Sequence, residues 1–113
     1  MFINLFYCVF VVAPLKNALD WGSRPPNVWA GKTAAIVSVG GAFGGGKAQH
    51  HLRQIGVFLD IHFINKPEFY LDVIKNPDKF DEDGDLIDEV MQNRLKEVLV
   101  SLKEFTLQLQ GKN

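Results

Sequence analysis

Apolar residues fall along this chain in two kinds of run, continuous and periodic, and each kind predicts its own element. Met1 to Ala13 is almost continuously apolar, broken only by Asn4 near the start, and reads as a buried strand of a parallel sheet. Ala34-Ala35-Ile36-Val37-Ser38-Val39 is a second such run and a second buried strand. Ile61 to Ile64 makes a third, shorter strand, broken at Lys66-Pro67. Elsewhere the period turns helical. Leu15, Ala18, Leu19 and Trp21 form a short stripe that Pro14 opens and Gly22 ends. From Lys47 onward Ala48, Leu52, Ile55, Gly56 and Leu59 recur at helical spacing, which assigns Gln49, His50, Arg53 and Gln54 to the other side. The clearest helical face runs Ile87, Val90, Met91, Arg94, Leu95, Val98, Leu99, Leu102, Phe105, Thr106 and Leu109, with Asp85 or Asp88 as its cap and Gly111 at its exit.

The connections carry turn chemistry. Paired prolines in Ser23-Arg24-Pro25-Pro26-Asn27 fix φ and remove two donors, so the chain loops there before Val28-Trp29 and the next strand. The acidic stretch from Lys66 through Asp85, holding Pro77 and Gly84, is expected to be irregular. Strand, helix, strand and helix in alternation predict an open α/β sheet, whose ligands sit outside the carboxyl ends of the strands. At such an end lies Gly40-Gly41-Ala42-Phe43-Gly44-Gly45-Gly46, with five glycines. Backbone without Cβ atoms can press its N–H groups against a flat or anionic ligand, at the positive end of the helix that follows.

With 113 residues the chain is one modest domain with a thin core. Twelve Lys plus Arg against thirteen Asp plus Glu leave a net charge of −1, so no overall field draws nucleic acid or an anionic membrane. The lone Cys8 can form no internal disulfide and packs as a small hydrophobe, which suits a reducing, cytoplasmic setting. The apolar start is shorter than the roughly 20 residues a membrane-spanning helix needs, and it lacks the positive lead of a signal peptide.

Rival motifs fail on chemistry. Gly41 to Gly46-Lys47 has the spacing of a P-loop, but Ala48 stands where a hydroxyl must ligate magnesium. The glycines do not fall at dinucleotide-fingerprint spacing. Asp81, Asp83 and Gly84 suggest an EF-hand, yet with Gly84 as the sixth loop position the first would be Lys79 and the twelfth Val90. Adjacent His50 and His51 point roughly 100° apart on a helix and cannot grip one metal, so no metal site is expected. His62 reads as structural, and Trp21 and Trp29 as core residues.

Three stretches together resemble the NADPH-dependent FMN reductase and NAD(P)H:quinone oxidoreductase family: Pro14-Leu15-Lys16-Asn17-Ala18-Leu19-Asp20-Trp21, Ser23-Arg24-Pro25-Pro26, and Ser38-Val39-Gly40-Gly41-Ala42-Phe43-Gly44-Gly45. Leu52-Arg53-Gln54, a strand into Phe69, and Phe80-Asp81 with Gly84, Leu86 and Asp88 continue the likeness. The resemblance implies a flavodoxin-like fold, FMN and NAD(P)H as cofactors, and two-electron reduction of a quinone through the flavin. It implies that Ser38, Val39, Gly40, Gly41, Phe43 and Gly44 meet the isoalloxazine ring, with Ser38 bonding its edge and the Gly40 and Gly41 amides facing its N1/O2 side. Lys16 and Asn17 carry over as flavin-side residues. No side chain is implied as catalytic. A homo-oligomer is implied, with Arg53 either at a subunit contact or simply exposed.

The family's opening strand, its Gly-Ser-x-Arg-x-x-Ser phosphate loop and its Pro-Glu-Tyr-Asn loop have no counterpart in these residues. The expected organisation is therefore an apolar segment outside the family pattern at 1–13 and the C-terminal part of a flavodoxin-like reductase domain at 14–113, with the first half of the domain missing. Weak or no retention of FMN by this chain alone follows. The alternative is a truncated, catalytically silent half-domain that self-associates through its open sheet edge.

Overall fold

The computed structural model describes the backbone of residues 2–6 and 11–111. In chain order it places β1 (Phe2–Phe6), α1 (Ala13–Gly22), β2 (Thr33–Ala34), β3 (Ile36–Gly40), α2 (Gly46–Phe58), β4 (His62–Phe63), β5 (Phe69–Asp72) and α3 (Glu89–Leu109). The three longer strands form one sheet in the order β1-β3-β5, all parallel. Register runs from Phe2 opposite Ile36 to Phe6 opposite Gly40, and from Val37 opposite Phe69 to Gly40 opposite Asp72. Strand β2 precedes β3 with only Ala35 between them and pairs in parallel with β4. The carboxyl ends of β1, β3 and β5 therefore share one rim, with Gly40 in its middle.

The unbroken apolar run of β2 and β3 is what two covered faces require. Side chains alternate along it. Ala34 and Ile36 join Leu19 of α1 with Leu52, Leu59 and Ile61 in one core, while Ala35 and Val37 join Ile64, Phe69, Leu71 and Val98 of α3 in the other. Helices α1 and α2 thus cover one face and α3 the other. The open parallel α/β sheet with flanking helices expected from the sequence, flavodoxin-like in arrangement, is what the chain forms.

Local chemistry explains the helix ends. Pro14 sits in the first turn of α1, where a missing N–H costs nothing. Asp88 caps α3 by accepting the Met91 N–H at 2.9 Å, and Lys79 Nζ lies 3.0 Å from the same carboxylate. Asp85, the other candidate, lies three residues before the cap position, in a turn where its N–H donates to Asp81 Oδ1 at 2.8 Å and its carbonyl accepts from the Asp81 N–H at 3.0 Å. Gly111, at φ +69°, ends the helix as anticipated.

Three expectations need correction or restriction. The stretch from Lys66 through Asp85 is not wholly irregular: Phe69 and Leu71 point into the α3 core and Glu68 and Tyr70 away from it, making β5 a real edge strand. Trp21 is not a core residue. It is 68% exposed, with the Arg24 guanidinium 4.1 Å from its ring centroid. Trp29 does pack against the α1/α2 core and donates from Nε1 to the Leu19 carbonyl at 2.9 Å. The packing of Cys8, and the strand expected over positions 7–10, lie outside the described residues. Among those described, no helix is long and apolar enough to cross a membrane.

Candidate functional site

The glycine loop springs from the carboxyl end of the central strand. Gly40 closes β3 and its carbonyl accepts the Val73 N–H at 2.9 Å, so β5 braces the exit. The chain turns at Gly41, makes a single 3-10 turn over Ala42–Gly45 and enters α2 at Gly46. The Gly44 N–H donates to the Gly41 carbonyl at 2.7 Å. Phe43, Gly44 and Gly45 all take positive φ, at 64°, 57° and 80°. Such a run is easy for glycine and strained for phenylalanine, the kind of strain that gathers at working loops.

Two features fix the loop from below. A Cβ on Gly44 would stand 2.6 Å from the backbone of Leu71, so the loop lies directly on β5 and only glycine fits. Beneath it Ser38, fully buried, donates its hydroxyl proton to the Gly44 carbonyl at 2.7 Å. Gln49 of α2, also buried, donates to Ser38 Oγ at 2.7 Å and to the Phe69 carbonyl. The network ties β3, β5, α2 and the loop together.

These facts sort the residues that the sequence singled out. Gly40, Gly41, Phe43 and Gly44 form the rim itself. Ser38 and Val39 sit under it, and the Ser38 hydroxyl proton goes to the Gly44 carbonyl. Val39 is half-buried against the α3 core. Lys16 is paired with Asp20 at 2.8 Å on the exposed side of α1, and Asn17 lines a recess of about 170 Å³ with Asp20, Trp21 and Arg24. Among the described residues, that recess shares no lining residue with the cleft of about 370 Å³ beside the loop, which is lined by Phe43, Gly46, Lys47, His50, Glu68 and Tyr70. Phe43 is 67% exposed at the mouth of this cleft, with Lys47 Nζ 5.7 Å from its ring centroid.

Arg53 is neither a free surface cation nor idle. It donates from Nη1 to the Ile64 carbonyl at 2.9 Å and tethers α2 to the strand layer. Burial lowers its pKa from the ordinary value, and the charge of Glu68 pulls it partly back. Gln49 is the residue that pattern reading missed. It was assigned to solvent by its polarity, although its position three before Leu52 and seven before Gly56 places it beside their buried stripe.

The fold and the loop together define an open-sheet α/β protein with a five-glycine loop at the carboxyl end of its central strand. The model of the NADPH-dependent FMN reductase family matches residues 6–75, and the chain belongs to that family. The match begins inside the apolar N-terminal segment. The chain is 66% identical over 112 residues to an NADPH:quinone oxidoreductase of Arabidopsis thaliana, covering 99% of this chain and 57% of that protein. It is 40% identical over 113 residues to an NAD(P)H-dependent FMN reductase of Pseudomonas aeruginosa, covering 60% of the latter. The chain thus spans a little over half the length of these relatives. The solved structure of FerB, a flavoenzyme NAD(P)H:(acceptor) oxidoreductase from Paracoccus denitrificans, superposes with a TM-score of 0.66 at 24% identity, over 97% of this chain and 60% of that one, a likeness of fold.

Proposed function

We propose that this chain carries the ring-binding side of an FMN-dependent NAD(P)H:quinone oxidoreductase. The observation that supports this most is the five-glycine loop braced at the carboxyl rim of the central strand, where open α/β sheets take their ligands. The names of relatives at 66% and 40% identity point the same way. Gly40 and Gly41 carry no side chain to hold a flat ring away, Gly44 lets the loop settle on Leu71, and the first turn of α2 adds the positive end of a helix dipole. Phe43 presents an apolar face at the rim. The rim turn after β5 is unsuited to a phosphate, since Asp72 Oδ1 already accepts the Ile74 and Lys75 N–H groups at 3.0 and 3.1 Å.

FMN, when bound, would supply the redox chemistry, hydride acceptance from a nicotinamide and two-electron delivery to a quinone. The chain's own contribution is orientation and electrostatics. Backbone N–H groups near Gly40 and Gly41 would stabilise the ring edge that gains negative charge on reduction. Lys16 and Asn17 belong to the proposal as flavin-side residues approached from α1. A cytoplasmic setting and self-association complete it: among the described residues β1 pairs on one side only, and such an edge attracts another strand.

The test is a titration of FMN into the folded chain, followed by flavin fluorescence and by NADPH oxidation with a benzoquinone. Quenching of the flavin and quinone-dependent NADPH consumption are expected, with weak affinity. A folded chain that neither quenches FMN nor consumes NADPH at any concentration overturns the proposal and leaves a catalytically silent, self-associating half-domain.

A further inference from the structure

We propose that Gln49 is a positioning residue, which acts through Ser38 to hold the glycine loop in its working shape. Its side chain is 2% exposed although it stands on a helix with much open surface, so its burial is specific. An uncharged glutamine there must satisfy its polar atoms inside the protein. The Nε2 group has two protons and uses both, one toward the Phe69 carbonyl on β5 and one toward Ser38 Oγ at 2.7 Å on β3.

The direction of the chain of bonds follows from donor count. A carboxamide nitrogen only donates, so Ser38 Oγ is the acceptor in that pair and its single proton is left for the Gly44 carbonyl, 2.7 Å away. One amide thereby orders a strand, its edge neighbour and the loop. The Gly44 carbonyl cannot swing outward while the bond holds, and with it the left-handed run from Phe43 to Gly45 is kept. The consequence for the flavin ring rests on the function proposed above; the pin itself does not.

The test measures amide hydrogen exchange by NMR in the full chain for wild type, Gln49→Met, Ser38→Ala, the double variant and Ser38→Thr. Gln49→Met keeps the volume and removes both donations. In Gln49→Met and Ser38→Ala, exchange at the Gly44 and Gly46 amides is expected to rise about tenfold or more relative to Val37 and Val39, because buried partners are left unsatisfied at the loop. The double variant adds little to either single one, since both break the same chain of bonds. Ser38→Thr, which keeps the hydroxyl, stays near wild type. A purely structural role would instead speed loop and strand amides together and leave their ratio unchanged. An unchanged ratio in both Gln49→Met and Ser38→Ala overturns the inference; if Gln49→Met fails to fold, Ser38→Ala against Ser38→Thr still decides it. Added FMN separates the two readings: no shift at Gly40 to Gly46 in wild type counts against the proposed function, whereas the exchange ratio judges the pin alone.

Discussion

Gly44 rests on the backbone of Leu71 so closely that a Cβ there would stand 2.6 Å from the Leu71 nitrogen and carbonyl carbon. Backbone cannot yield as a flexible side-chain end can, and Gly44 also holds a φ of +57°. Gly44→Ala is therefore expected to lift the loop off β5, with a lower thermal midpoint and loss of FMN quenching. Gly46→Ala is the control. Its Cβ would meet nothing nearer than Tyr70 Cγ at 4.0 Å and the position is helical, so thermal stability should hold or rise by about 0.4–1 kcal/mol.

Helix α2 is expected to be anchored by one face only. Leu52 is fully buried in the core shared with Leu19 and Ile36, whereas Val57 is 80% exposed on the same helix. Leu52→Ala should cost about 2–5 kcal/mol in chemical denaturation. Val57→Ala should stay within about 0.5 kcal/mol. Equal effects would mean that α2 packs by another face.

The cap of α3 predicts a pH dependence with a definite sign. The Met91 N–H, and after it the hydrogen bond from Lys79, hold the Asp88 carboxyl below its ordinary range. A carboxyl depressed in the folded state adds stability above its unfolded value, about 3.9, and that stability is lost as pH falls through the folded value. Asp88→Ala should thus lower the thermal midpoint at neutral pH. The gap between variant and wild type should close below about pH 4 as the wild-type carboxyl takes up its proton.

Much of this molecule is legible in its residues, and the losses have physical causes. The central strand, the three helices and the rim position of the glycine loop follow from continuous against periodic apolar runs, because two covered faces demand the first and one covered face the second. The choice between Asp85 and Asp88 as cap is open in sequence, since either can accept an N–H; the start of α3 at Glu89 decides it, because only Asp88 then stands within reach of the Met91 N–H. Strand β5 was hidden from residue pattern by its brevity and by the proline and acidic residues around it, though the family resemblance placed a strand at Phe69. At the site, the burial of Gln49 is hidden by its polarity, which suggests an outer face of α2, whereas it donates to Ser38 under the loop. Such a pairing needs the close approach of α2 to β3, which spacing along the chain does not disclose.

The measurement that bears most directly on the flavin reading is the map of backbone amide shifts when FMN is added to the isotope-labelled chain. The account expects the largest shifts at Gly40, Gly41, Phe43 and Gly44, with the Val98 region of α3 unmoved. Shifts confined to residues away from that rim, or none with the chain folded and FMN in large excess, would contradict it.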